Sequence, residues 1–192
     1  MHSLTREILN RKFEKTEKAG ELYLPGAKIF VGGAFEHWVN DDLDDLQSDG
    51  NIVVDEGLNH LLDVTLSSAT QKTNWYIGIN KANYTFVAGD TAANVSTNST
   101  EVTGTGDVSN TVRPSWVEAG VSAKSITNSA SPAVYTADST FTAYGAFLVS
   151  VAAFGNGVGT DKLLAASPFT AARSLIATDV LNVTYTLNIA DA

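Results

Sequence analysis

From residue 181 to residue 189 the chain alternates strictly. Leu181, Val183, Tyr185, Leu187 and Ile189 are apolar, and Asn182, Thr184, Thr186 and Asn188 between them are polar. Only an extended strand sorts such a series onto two faces, so the segment predicts a half-buried antiparallel strand. Its apolar face demands a second layer of structure to cover it.

The same period of two recurs upstream. Residues 141–153 set Tyr144, Ala146 and Leu148 against Gly145, Phe147 and Val149. Both faces are apolar, which predicts a central strand. Residues 75–79 read as another strand, with shorter ones at 51–54, 84–87, 116–117, 123–127 and 133–136, separated by Gly120, Asn128 and Pro132 and followed by the Gly155-Asn156-Gly157 turn. Residues 92–110, rich in Ser, Thr and Asn, read as a long loop with one short strand near 100–102. Tyr23-Leu24 and Ile29-Phe30-Val31 predict strands around Pro25-Gly26, with Gly32-Gly33 as a bulge or bend. One helix is expected after Val54. Asp55 suits the N-cap, Glu56 the positive helix end, and Leu58, Leu61, Leu62 and Leu66 form a stripe that needs a sheet to cover.

Short strands punctuated by turns predict a mainly β fold: an antiparallel β-sandwich or barrel, jelly-roll-like, with one helix packed on it. A chain of 192 residues suits one such domain, residues 21–192, behind an extended N-terminal arm, residues 1–20.

Charge narrows the functional classes. A formal charge of -9 disfavours a nucleic-acid partner, because phosphate binding needs a dense basic array. With no cysteine there is neither a disulfide nor a thiolate zinc site, and no apolar run is long enough for a membrane helix. Half of the 12 basic residues lie within residues 1–28, Arg6, Arg11, Lys12, Lys15, Lys18 and Lys28, against four acidic ones, Glu7, Glu14, Glu17 and Glu21. Leu4, Ile8, Leu9 and Phe13 would line one side of a short helix there, which needs a partner surface to be ordered. Residues 36–63 carry nine acidic residues and no Lys or Arg. A solvated face is the simpler reading of that run, and pairing with the arm between neighbouring subunits is the alternative.

Catalytic groups are few. The only histidines are His2, His37 and His60. His60 is expected to pack beside the helix leucines, and His37, next to Glu36 and Trp38, to be a solvated loop histidine. Residues 45–56 place Asp45, Asp49 and Glu56 at positions 1, 5 and 12 of an EF-hand-like calcium loop, with Gly50 at position 6. Gln47 at position 3, the missing preceding helix and the competing helix-start role of Asp55-Glu56 favour an acidic turn. No metal or cofactor is therefore expected, and the chain reads as non-enzymatic.

Two groups of segments go further. Residues 51–63 (Asn-Ile-Val-Val-Asp-Glu-Gly-Leu-Asn-His-Leu-Leu-Asp) with 75–79 (Trp-Tyr-Ile-Gly-Ile), and residues 144–150, 163–173 and 179–187, together resemble a family of small tailed-phage virion proteins. The resemblance spans about residues 51–189 and leaves the arm uncovered. It implies a capsid decoration (cement) protein, or a related head or fibre component, on the outer surface of the capsid. It further implies contact with the major capsid protein, assembly as a homotrimer, and an arm reaching neighbouring subunits. Leu4, Arg6, Ile8, Leu9, Arg11, Lys12 and Phe13 are the candidate contacts of that arm, and no catalytic residue is carried over.

Overall fold

The computed structural model describes residues 29–104 and 106–191. Two compact units divide the chain, one of Met1–Val31 with Ile189–Ala192 and the other of Gly32–Asn188. In the described part of the first, Ile29, Phe30 and Ile189 are exposed. The arm assigned to residues 1–20 and the strand expected at Tyr23-Leu24 lie outside the described residues.

The body is a β-sandwich. One sheet runs β2 (Gln47–Gly50), β1 (Ile29–Val39), β9 (Val180–Asp191), β5 (Ser125–Thr127), with β6 (Ala133–Thr136) also on β9. The other runs β3 (Ile52–Val53), β8 (Leu163–Leu175), β7 (Phe141–Val149), β4 (Tyr76–Asn80), and the pairs β1–β2, β5–β9, β6–β9, β3–β8, β7–β8 and β4–β7 are antiparallel. Among the described residues the first strand pairs with the last in one sheet, and β3 pairs with β8 in the other, the nested pairing of a jelly-roll-like sandwich.

The alternation that predicted β9 is realised: Leu181, Val183, Tyr185 and Leu187 are buried between the sheets. β5 meets residues 186–188 of β9 and β6 meets residues 180–183, which leaves a gap at Tyr185. Side chains fill it. Asn128 Oδ1 accepts from the Tyr185 amide at 2.7 Å, and Trp116 Nε1 donates to the Tyr185 carbonyl at 3.0 Å. Two side chains thus replace the ladder bonds that an interrupted strand cannot supply. The 116–117 strand expected from sequence is accordingly a loop.

The helix α1 (Asp55–Leu66) forms where expected but faces elsewhere. Its buried residues are Gly57 and His60, whereas Leu62 and Leu66 are 57% and 80% exposed. The reason is Gly57. A Cβ there would stand 2.5 Å from the Leu164 carbonyl oxygen, so the bare glycine lets the helix backbone lie directly on β8. At about 100° per residue, Leu58, Leu62 and Leu66 then fall roughly 100–180° away from the contact. Val54, not Asp55, occupies the N-cap, and no side chain caps the helix. Helix contact on one face and the core on the other explain why residues 163–167 of β8 are buried without alternation.

Other expectations are revised. Residues 84–87 form an irregular segment that leads into the 87–90 turn, held by the Tyr84 hydroxyl and the Val87 amide donating to Asp90. The 92–110 loop contains a short helix, α2 (Val95–Ser99), beside the bridge from Glu101 to Asn80. Gly32-Gly33 does not bend the chain, since β1 runs through it. Gly33 is required because β9 crosses so closely that a Cβ would overlap the Thr186 carbonyl oxygen, while nothing lies within 4 Å of a Cβ at Gly32. Gly33→Ala should therefore lose about 2–4 kcal/mol of stability in urea unfolding. Gly32→Ala should stay within about 0.5 kcal/mol of the parent. Equal effects at the two positions would contradict the strand placement.

Candidate interaction surface

Four carboxylates of the sequence's acidic run fold into quite different surroundings. Asp49 and His37 sit on the β1–β2 hairpin, where His37 is opposite Gln47 and Asp49 is its diagonal neighbour. Contrary to the expectation of a solvated loop histidine, His37 is fully buried within a strand. Its Nε2 is 2.8 Å from Asp49 Oδ2, and its Nδ1 accepts from Arg173 Nε at 2.9 Å. Because a guanidinium has no acceptor, Nδ1 must be bare and the proton sits on Nε2, shared with Asp49. His37 is neutral, and its ring stacks on Phe169 with centroids 3.7 Å apart.

A bulge in β8 makes this cluster possible. Ala143 pairs with Arg173 but Gly145 pairs with Pro168, so four residues of β8 stand against Tyr144 alone. Pro168 cannot donate to a ladder, which is where the chain departs from register. The bulge turns Phe169, Thr170 and Arg173 toward β1 and β2. The Thr170 amide donates to Asp49 Oδ1 at 2.8 Å, and Arg173 reaches on to Asp45 Oδ1 at 2.6 Å and to the Asp45 carbonyl.

Asp45 ends a single 3₁₀ turn (Leu43–Asp45) whose first amides are organised by Asp42, which accepts from the Asp44 amide. Asn40, with φ of 57°, binds Asp179 and Val180 in the neighbouring β8–β9 turn. The buried guanidinium and Asn40 thus fix two turns side by side at one end of the body. They hold Leu43, Leu46 and Ile176 in solvent, 65%, 41% and 62% exposed. This fixed, partly apolar and acidic end is the candidate interaction surface.

The calcium-loop pattern does not survive folding. Asp45 serves Arg173, Asp49 serves His37 and Thr170, and Glu56 Oε2 accepts from the Ala92 and Leu163 amides at 2.8 and 2.7 Å. Among the described residues no group of three or more His, Asp or Glu is placed to hold a metal ion. His60 packs in the helix contact, 6.0 Å from the Trp75 ring centroid. The arm residues Leu4, Arg6, Ile8, Leu9, Arg11, Lys12 and Phe13 lie outside the described residues.

Sequence reasoning passed over a second buried network. Arg113 and Glu101 form a bidentate pair with side chains 0% and 1% exposed. Arg113 also donates to the Val151 and Gly155 carbonyls, and Glu101 accepts from Ser96 Oγ and the Gly155 amide. Both backbone groups of Gly155 are therefore held by one ion pair. Above it opens a cleft of about 510 Å³, lined among the described residues by Thr103, Gly104, Thr111, Phe154 and Gly155, none of them charged. A usable signal existed in residue choice: beyond residue 28 the only arginines are Arg113 and Arg173, and both are buried. Arginine suits buried pairing because its fork meets several acceptors at once.

The titration behaviour follows from geometry. Burial, reinforced by the Arg173 charge and opposed by Asp49, holds the His37 pKa below its ordinary 6.5. Desolvation is the largest influence on Asp49 and works upward, but its hydrogen bonds with Thr170 and His37 prevail and hold it below 3.8. A lowered histidine pKa means that the unfolded chain binds the proton first. The stabilisation is complete above pH 6.5 and is lost as pH falls from there toward the folded value. Asp49 adds a further loss below pH 3.8. Unfolding free energy should thus fall by up to about 1.4 kcal/mol per pH unit below the imidazole range. His37→Gln, which keeps a donor and an acceptor but does not titrate, should flatten that slope; an unchanged slope would assign it to other groups.

The Arg113–Glu101 pair invites a separate measurement. Removing either partner leaves a buried, unpaired charge and should cost about 3–5 kcal/mol. Arg113→Met combined with Glu101→Leu should cost less than the two single changes added together in chemical denaturation.

Compared with protein-family models the sequence matches none, and no curated protein matches it.

Proposed function

We propose that this chain is a structural, non-enzymatic component of a tailed-phage virion. In this reading it is a capsid decoration protein, bound as a homotrimer on the outer surface of the head between major capsid protein subunits. One observation carries the reading: the segments that resemble phage virion proteins fold together. Residues 51–63 and 163–173 are β3, α1 and β8 in mutual contact; residues 75–79 and 144–150 complete that sheet, and 179–187 is the buried stretch of β9. The five segments of the resemblance thus supply most of one sheet, the helix packed on it and a central strand of the other sheet.

The use made of polar groups supports a structural role. Glu56, Asp49, Asp90 and Glu101 all accept from backbone amides. They lock loops in place rather than converge on an open centre. Apolar side chains left in solvent by rigid turns and by α1 are what a protein gains from when many copies meet one lattice.

The uncharged cleft at Phe154 favours a second reading, a tail or head fibre module that recognises host surface glycan. An aromatic ring beside Thr103 and Thr111 offers a sugar one apolar face and two hydroxyl groups. Immunogold labelling of virions separates the two. Decoration predicts label over the head and a copy number on the scale of the capsid lattice. Label confined to the tail or to fibre tips would replace that reading with the second.

A further inference from the structure

The 3₁₀ turn at residues 43–45 is held to the body from outside itself. None of its residues is buried, and Leu43 and Leu46 are exposed, so apolar packing does not seat it. Its own bonds are short-range: the Asp45 and Leu46 amides donate to the Asp42 and Leu43 carbonyls at 3.3 and 3.2 Å. Among the described residues the long-range hold on residues 41–46 is Arg173, which donates to the Asp45 carboxylate and to the Asp45 carbonyl. On either side the chain is secured independently. The Asn40 amide donates to the Val180 carbonyl at 2.6 Å, and Gln47 pairs with His37 in the hairpin. Residues 41–46 are thus a flap between two fixed points, closed by one guanidinium.

That guanidinium is also bound to a group that titrates. Arg173 Nε donates to the bare Nδ1 of His37 at 2.9 Å, while the other ring nitrogen carries the proton shared with Asp49. A second proton on the ring can go only to Nδ1. An N–H would then face an N–H and a cation a cation, both side chains buried and too close to admit water. Asp49 cannot relieve this, since Oδ2 is taken by Nε2 and Oδ1 by the Thr170 amide. The contact that seats Arg173 becomes one that expels it.

Few charges face the ring. β2 contributes Asp49, β8 contributes Arg173 and the turn contributes Asp45; burial, the largest influence, and Arg173 oppose a charged ring and prevail over the two carboxylates. β9, the other neighbour of β1, turns Leu181, Val183, Tyr185 and Leu187 inward, and burial raises the pKa of the Tyr185 hydroxyl and keeps it neutral. Glu36 turns to Thr184 on the opposite face, and Asp179 faces Asn40. The closed arrangement therefore excludes the proton, and opening admits it. We propose that residues 41–46 are an acid-released latch: protonation of His37 at Nδ1 displaces Arg173, frees Asp45 and lets the flap leave the body with Leu43 and Leu46. A partner held on this end at neutral pH would be released in acid, because the surface it meets loses its fixed shape. The inference goes beyond the virion reading and does not rest on it.

Amide hydrogen exchange followed by NMR tests the latch, as protection relative to an unstructured chain at the same pH. Protection of the Asp45 and Leu46 amides should fall by up to about tenfold per pH unit below pH 6.5, because the open flap binds a proton that the closed one excludes. In low urea the same exchange should stay level, which marks a local opening as distinct from unfolding of the body. His37→Gln keeps an acceptor for Arg173 and does not titrate, so its protection should hold constant across that range. Should that variant fail to fold, Asp45→Ala removes the carboxylate of the latch, and protection at Leu46 should already be low at neutral pH and fall no further in acid. Protection that stays constant below pH 6.5 in the unmodified chain, or that falls equally in His37→Gln, overturns the proposal. So does a fall that steepens with urea, which would assign the proton uptake to global unfolding.

Discussion

The sandwich depends on a guanidinium that has left water. Arg173 belongs to one sheet, yet its acceptors, His37 Nδ1, the His37 carbonyl and Asp45, belong to the hairpin of the other. A buried cation is tolerated only when each donor direction is answered. Meeting that requirement fixes the histidine tautomer, the rotation of Asp49, the bulge in β8 and the seat of the 3₁₀ turn together. The two sheets are joined by apolar packing over most of their area, and at this end by a polar tie whose geometry admits little slack. A second tie, the Tyr135 hydroxyl donating to the Ile77 carbonyl at 2.6 Å, links β6 to β4; burial pushes that hydroxyl's pKa well up and keeps it a donor.

The same logic recurs away from the sheets. Carboxylates from loops and from the first turn of α1 reach across to backbone amides that have no ladder partner. Glu56 takes two amides from distant segments, Glu101 and Arg113 hold both polar groups of Gly155, and Asp90 gathers Tyr84 and Val87. Long irregular connections are thereby held in one conformation by desolvated charge rather than by regular structure. For a protein read as part of a particle, this yields a surface that a neighbour meets already shaped, so that less ordering free energy is lost on contact.

Residues in the acidic run divide according to whether they face inward. Asp49 is buried and takes part in the inter-sheet tie, Asp45 anchors the turn, and Asp41, Asp42 and Asp44 remain in water beside Leu43 and Leu46. A stretch that looks uniform in composition is therefore part core and part surface.

Strand period alone determined β9, β7 and β4, because burial on one or both faces leaves a pattern of two that nothing else produces. It also determined that the fold is an antiparallel sandwich or barrel with one principal helix, since apolar faces must be paired, and the two separate sheets of the tertiary structure decided for the sandwich. Tertiary structure alone decided which way α1 faces, because Gly57 fixes the contact through a side chain it does not have, and a leucine count cannot register an absence. It decided the fate of His37 as well. A histidine between glutamate and tryptophan reads as polar loop, and only the arrival of Arg173 from 136 residues away gives it acceptor and donor partners that make burial possible. The gap at Tyr185, the bulge in β8 and the Arg113–Glu101 pair are of the same kind. Each is settled by which distant backbone groups are left unsatisfied once the sheets have formed, and that information is not local to any segment.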